Sequence, residues 1–270
     1  MHEPLLHSLL AQRPRGLLTD IDGTIAPIAP APDAARVSPV ARELLQRLAQ
    51  RFELTAVISG RDAATAAAMV GLPELTYVGN HGFEIWRNGA AEPTPAAQPY
   101  VAAIDATLRA AQAEIRLPGV IFEDKHVTAT VHFRQAADPL AAGEQIGATL
   151  RRLTEQSGLR LTQGQMIWEI RPPLDINKGV AARALIELHG LRSAIFLGDD
   201  RTDADVFSVL RELRAENAAA DPPLATLGVG VAGPETPAVV RERADLLVEG
   251  VPGVERLLAE IATIVTQAAD

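Results

Sequence analysis

Apolar and polar residues alternate along this chain in two different rhythms. The run Gly16-Leu17-Leu18-Thr19 suits a buried strand, and its exit through Asp20-Ile21-Asp22-Gly23 suits a sharp turn. Pro27, Pro30, Pro32 and Pro39 then break the chain into a loop until Ser38 caps a helix, in which Val40, Leu44, Leu45 and Leu48 recur at helical spacing. Residues 52–58 form a short apolar strand ending in Ser59-Gly60-Arg61, residues 62–70 an Ala-rich helix, and residues 75–78 another strand running into Gly79-Asn80-His81-Gly82. Strand and helix thus alternate three times, which predicts parallel pairing with right-handed crossovers.

The rhythm changes near Pro93. Residues 92–99, with Pro93, Pro95 and Pro99, read as a linker. Beyond them the pattern predicts a helix over 100–116, strands over 120–125 and 127–134, a helix over 139–157, and strands over 159–163 and 166–171. Helix, two strands, helix, two strands is the plan of an α+β layer with an antiparallel sheet. After Pro172-Pro173 the first rhythm resumes: helix 178–189, strand 194–197, helix 203–215, strand 227–231 and a last helix from Pro252. The expectation is an α/β fold whose core, 1–92 and 173–270, carries a parallel sheet and is interrupted by an inserted domain over 93–172.

Composition narrows the function. The chain has 270 residues, 47% of them hydrophobic, enough for a large core and unlike a disordered segment. A formal net charge of −9 argues against a nucleic-acid partner. The absence of cysteine removes disulfides, thiolate metal sites and a thiol nucleophile together. No apolar run reaches membrane-spanning length, and the first sixteen residues lack the basic start and apolar middle of a secretory signal. These features predict a soluble cytoplasmic protein with no membrane partner.

The chemistry is expected at strand ends, where open α/β sheets bind ligands. If the first strand stays extended as far as Asp22, Asp20 and Asp22 lie on one side of it. Such carboxylates can share a divalent cation, or one can attack phosphorus while the other moves protons. A plain Asp-Gly turn is the alternative. Gly198-Asp199-Asp200-Arg201-Thr202-Asp203 sits on the same rim, where converging acids call for a cation and hard oxygen ligands suit Mg²⁺. A helix N-cap at Thr202 would account for Asp203 but not for Asp199. Ser59 and Gly60 offer a hydroxyl and a backbone N–H pair to a phosphate oxygen, or form an ordinary strand-to-helix turn. Lys178 opens a helix, where a cation opposes the dipole, so it has better reason to face an anion.

In this order, Asp20-Ile21-Asp22-Gly23-Thr24, Ser59, Lys178 and Gly198-Asp199-Asp200 resemble the strand-end motifs of the haloacid dehalogenase superfamily of phosphatases. The resemblance implies a Rossmann-like core with an inserted cap, Asp20 as nucleophile, and Asp22 as general acid/base. It also implies Ser59 and Lys178 on the phosphoryl oxygens, and Mg²⁺ held by Asp20, Asp199 and the backbone carbonyl of Asp22. Asp203 would support the site from behind.

A narrower resemblance, to trehalose-6-phosphate phosphatases, rests on several further stretches. These are Tyr77-Val78-Gly79-Asn80-His81-Gly82-Phe83-Glu84, Glu123-Asp124-Lys125, Val131-His132-Phe133-Arg134, Trp168-Glu169-Ile170-Arg171-Pro172-Pro173 and Asn177-Lys178-Gly179. Ala204 stands where that family usually carries Glu, while Asp205 matches. The resemblance implies hydrolysis of trehalose 6-phosphate within trehalose biosynthesis. Glu123, Lys125 and Glu169 would then contact the glucose units, and the insert would close as a lid. On the strands, Glu123 shares a face with Lys125 and Glu169 with Arg171, which otherwise reads as a solvated face. His132 and Arg134 are placed as sheet support or weaker contacts. Arg61, Asn80 and His81, at core strand ends, are further candidates for substrate contact, with a capped turn the alternative for the last two. The rival readings are a phosphatase for sucrose 6-phosphate or mannosyl-3-phosphoglycerate, and a non-catalytic sugar-phosphate sensor.

Overall fold

A computed structural model describes residues 3–29, 34–234 and 236–267. Pro30 and Pro32 of the expected loop lie outside the described residues. The chain divides into two compact units, residues 1–91 with 176–270, and residues 92–175.

The first unit begins with helix α1 (Glu3–Leu10), strand β1 (Arg15–Thr19), α2 (Pro39–Ala49), β2 (Leu54–Ile58), α3 (Ala63–Val70) and β3 (Thr76–Gly79). A pair of short strands follows, β4 (Glu84–Arg87) and β5 (Ala90–Pro93). The second unit contains α4 (Val101–Glu114), β6 (Ile121–Asp124), β7 (Ala129–His132), α5 (Pro139–Ser157), β8 (Arg160–Gly164) and β9 (Ile167–Arg171). The chain then returns to the first through α6 (Lys178–Leu188), β10 (Ser193–Gly198), α7 (Asp203–Glu216), β11 (Ala225–Ala232), α8 (Ala238–Arg243), β12 (Leu246–Glu249) and α9 (Gly250–Gln267).

The large sheet runs β12-β11-β10-β1-β2-β3-β4-β5, with β12 through β3 parallel and β4 antiparallel to β3. Every residue of β1, β2 and β10 is buried, because helices cover both faces of the sheet. Successive residues go to opposite layers: Leu17 packs with α1, α2 and α9 through Leu6, Leu45 and Leu258, while Leu18 packs with α6 and α7 through Leu185 and Leu210. This is why the central strand is apolar without alternation. The polar ends of β1, β2 and β10 therefore emerge together at one rim.

Three regions depart from the expectation. The hairpin of β4 and β5 occupies part of the stretch read as a linker. Its turn residues Asn88 and Gly89 carry φ of 52° and 83°, the left-handed pair that a two-residue hairpin needs. Helices α1 and α8 and strand β12 were also not expected; each is short, and their apolar residues gain meaning only against the core.

The insert pairs all its strands antiparallel in the order β6-β7-β9-β8. One face, with Ala129, Val131, Trp168 and Ile170, packs on Ile104 and Leu108 of α4 and Ile146 and Leu150 of α5. Gly143 and Gly147 make α5 smooth there: a Cβ on Gly147 would lie 2.6 Å from the Trp168 ring, whose Nε1 donates to the Gly143 carbonyl at 2.8 Å. The other face carries the charged residues.

Candidate active site

Asp20 follows β1, still paired to the sheet by its N–H to the Leu197 carbonyl at 2.9 Å, and its carboxylate is buried. The strand does not continue to Asp22 as the spacing argument required. It ends at Thr19, and the Ile21 carbonyl accepts from the N–H groups of Thr24, Ile25 and Ala26, which turns the chain. Asp20 and Asp22 consequently part company, one toward Lys178 and the other toward Arg61.

Lys178 opens α6, where Asn177 accepts from the Val180 N–H as N-cap. Its ammonium is 1% exposed and lies 2.8 Å from Asp203 Oδ1, 3.0 Å from Asp20 Oδ1 and 3.9 Å from Asp200 Oδ1. Burial opposes its charge, but Asp20 and Asp203 overcome that and raise its pKa well above the usual value. Burial pushes the Asp20 carboxyl up to about 7, with Asp200 and Asp199 adding to the rise and Lys178 resisting it. Asp199 is likewise raised to about 7, by burial and then by Asp203 and Asp200.

The loop after β10 is built by its own carboxylates. Asp203 Oδ2 accepts from the N–H groups of Asp199 and Asp200 at 2.9 and 3.0 Å, while its Oδ1 takes Lys178. Asp200 Oδ1 accepts from Thr202 N–H, Thr202 Oγ1 and Asp203 N–H, so Asp200 caps α7 and Thr202 does not. Although burial works against ionisation, Lys178 and these hydrogen bonds bring Asp200 down to about 2. This role for Asp200 escaped the sequence reading; an Asp three residues before the first helical turn was its available signal.

Among the described residues, Asp20, Asp199 and Asp203 bring carboxylate oxygens within 4.8 Å of one another. Asp203 has both oxygens committed, which leaves Asp20 and Asp199 as the donors with room for a cation. Gly23 makes this closeness possible: at φ +79°, a Cβ there would stand 2.0 Å from Asp199 Oδ2. Thr24 Oγ1 donates to Asp199 Oδ1 at 3.4 Å.

On the neighbouring strand, Ser59 is buried and its N–H is spent on the Val78 carbonyl at 3.0 Å, so of the expected donors from Ser59 the hydroxyl remains. Its Oγ accepts from the Arg61 N–H at 3.3 Å. Arg61 grips Asp22 with two parallel bonds, Nε to Oδ2 at 2.6 Å and Nη2 to Oδ1 at 2.7 Å. Asn80 and His81 both adopt left-handed φ, 49° and 58°. The Asn80 N–H donates to the Arg61 carbonyl and the His81 N–H to the Ser59 carbonyl, which ties the ends of β2 and β3 together. Buried Glu84, named in the Tyr77-to-Glu84 stretch of the sequence without a role, accepts from the Ala63 N–H at 2.6 Å and so anchors the start of α3.

The insert carries its candidates as a register row. Glu123 pairs across to Thr130, Thr130 to Glu169, and Glu169 to Thr162, which puts all four on the polar face. Glu123 contacts His132 Nε2 at 2.9 Å and Lys125 at 3.7 Å, and Glu169 lies 3.7 Å from Arg171. The bond with His132 holds the Glu123 carboxyl below its ordinary range, against burial and with help from Lys125.

Comparison with known proteins identifies the family. Over 216 residues the chain is 38% identical to the trehalose-phosphate phosphatase of Mycobacterium bovis, covering 76% of this chain and 54% of that protein. It is 34% identical over 218 residues to a probable trehalose-phosphate phosphatase of Oryza sativa subsp. japonica, covering 75% and 58%. The chain thus spans about half the length of the curated relatives it matches. The solved C-terminal domain of trehalose-6-phosphate phosphatase from C. albicans shares the fold with a TM-score of 0.72 at 24% identity, covering 97% of each chain. The family description trehalose-phosphatase matches residues 18–228, and the chain belongs to that family.

Proposed function

We propose that this chain is a cytoplasmic, Mg²⁺-dependent phosphatase that hydrolyses trehalose 6-phosphate to trehalose and phosphate through an aspartyl-phosphate. The observation that carries the reading is the buried Lys178, 3.0 Å from Asp20, beside a second raised carboxylate at Asp199. A carboxylate set among like charges and an ammonium is suited to an incoming phosphoryl group, whose charge Lys178 offsets.

The donor set fits Mg²⁺. Asp20 and Asp199 supply hard oxygens, and burial, with neighbouring carboxylates adding to it, raises the pKa of both. The backbone carbonyl of Asp22 would join them. Bound there, Mg²⁺ would draw charge from the phosphoryl oxygens.

The chain's own groups do the rest. An Asp20 oxygen bonds to phosphorus as the bond to the sugar oxygen breaks, and the proton on Asp22 moves to that oxygen. Water then bonds to phosphorus, the Asp20–phosphorus bond breaks, and Asp22 takes a proton from the water. Ser59 and Lys178 hold the phosphoryl oxygens throughout, and Asp203 keeps Lys178 and the Asp199 loop in place. Sugar selection falls to Glu123, Lys125 and Glu169 on the insert, with Asn80 and His81 as further contacts. Charged groups read hydroxyls well, at about 1.5–3 kcal/mol per bond where water is excluded.

Phosphate release measured across a panel of sugar phosphates, with and without Mg²⁺, tests this. Trehalose 6-phosphate should be turned over fastest and only with the metal. Preference for sucrose 6-phosphate or mannosyl-3-phosphoglycerate would overturn the substrate, and full activity after exhaustive chelation would overturn the metal.

A further inference from the structure

Asp22 is held in a geometry that its assigned role cannot use. A general acid must turn one carboxyl oxygen, carrying a proton, toward the leaving group. Here both oxygens are taken by one guanidinium, at 2.6 and 2.7 Å, so neither is turned toward a leaving group.

The fork is launched from a fixed backbone. The Arg61 N–H donates to Ser59 Oγ, and the Arg61 carbonyl accepts from the Asn80 N–H. Close by, the His81 ring lies 2.6 Å from where a Gly60 Cβ would stand, so this stretch is packed tightly against the left-handed Asn80-His81 turn. Only the long side chain of Arg61 is left to decide what the guanidinium reaches. The Asp22 side chain is 38% exposed against 15% for Arg61, so the pair is open on its carboxylate side.

Arg61 also stands where a phosphate ester must arrive. It is two residues from Ser59, and β2, which leads into Ser59, pairs directly with β1, which leads into Asp20. Lys178 is enclosed by Asp20 and Asp203. A dianionic phosphoryl group entering beside Ser59 therefore competes with Asp22, a monoanion, for the same fork.

We propose that Arg61 is a positioning residue shared between two anions: it clasps Asp22 before substrate binds and passes to the phosphoryl oxygens when it does, releasing Asp22 for proton transfer. This rests on the phosphatase reading above and adds a coupling to it. Asp22 becomes available only when there is a phosphoryl group to act on.

The test is a thermodynamic cycle on the affinity for inorganic phosphate, measured by calorimetry with Mg²⁺ present, in the unaltered protein, Asp22→Asn, Arg61→Met and the double variant. If Asp22 competes for Arg61, Asp22→Asn should tighten phosphate binding by about 10-fold, and Arg61→Met should weaken it by about as much. In the Arg61→Met background, Asp22→Asn should then change affinity by less than about 2-fold. Arg61→Lys, which keeps the charge but not the fork, should fall between the unaltered protein and Arg61→Met. Unchanged or weaker binding by Asp22→Asn would overturn the proposal. So would a gain that persists in full without Arg61, because removing a nearby negative charge would then explain it alone. The readout is a binding constant, so the phosphatase reading stands or falls in its own turnover assay.

Discussion

Around Lys178, the Asp20 and Asp203 carboxylates and the ammonium are enclosed together with the half-exposed Asp200 at their edge, and backbone N–H groups of the Asp199-Asp203 loop lock Asp200 and Asp203 in place. On the insert, Glu123, Lys125, Glu169 and Arg171 lie along one sheet face and hold one another at 3.7 Å, with His132 closer. The first arrangement is costly to alter, since removing one partner strands a buried charge. The second is held by longer pairs between partly exposed residues, so changing one member strands less charge. The difference suits a division of labour: a core whose chemistry serves any phosphate ester, and an insert that chooses the alcohol.

The largest effect that tests this division is at the nucleophile. Asp20→Asn should lower turnover of every phosphate ester by about 10³-fold or more, because the amide keeps the shape but not the attacking charge. Clear turnover, with deamidation excluded by mass spectrometry, would contradict the assignment.

Asp199→Ala comes next, with a loss of about 10²-fold at ordinary Mg²⁺ concentrations on sugar and aryl esters alike. Partial recovery at high Mg²⁺ would mark it as a weakened metal site. Equal loss at all metal concentrations would make it structural.

Effects on the insert should be smaller and selective. Glu123→Ala, Lys125→Ala and Glu169→Ala should each lower kcat/KM for trehalose 6-phosphate by about 10- to 150-fold while changing aryl-phosphate hydrolysis little. Parallel losses on both substrates would assign these residues to folding of the insert. No loss on either would return them to the solvated face.

The smallest expected effect concerns stability. Asp199 has a folded pKa of about 7 against an ordinary value of 3.8. Between those values the folded state binds more protons than the unfolded one, so the metal-free protein should lose stability as pH rises from 4 to 7. Asp199→Asn should therefore raise the Tm of the metal-free protein by about 3–10 °C at pH 8 and leave it unchanged at pH 4. A gain of equal size at both pH values would mean that relief of the charge is not the cause.

How much of this was legible in sequence follows the range of the interactions. The α/β core and the antiparallel insert were readable because periodicity is local. Helix α5 was read to its observed limits, since Pro139 sits in its first turn behind the capping Asp138, and Gly158 ends it at φ +67°. The Asn88-Gly89 hairpin was equally local, but nearby prolines masked it. What could not be read depends on side chains meeting from distant elements. The fork of Arg61 on Asp22 joins residues 39 positions apart, whereas the turn at Ile21 that parts Asp20 from Asp22 is the alternative that the Asp-Gly spacing left open. The capping role of Asp200 was within reach, because the sequence reading weighed a cap there and placed it two residues late.

Every role given to the insert presupposes that the phosphoryl group passes through Asp20. The most direct measurement is a rapid acid quench of the Asp22→Asn variant mixed with ³²P-labelled p-nitrophenyl phosphate, followed by peptide mapping. Its good leaving group needs no proton, so the first step should proceed while hydrolysis of the intermediate lags. The account predicts stoichiometric label on the peptide carrying Asp20 and none in the Asp20→Asn, Asp22→Asn double variant. Release of p-nitrophenol without protein-bound label, or label on any other residue, would contradict it.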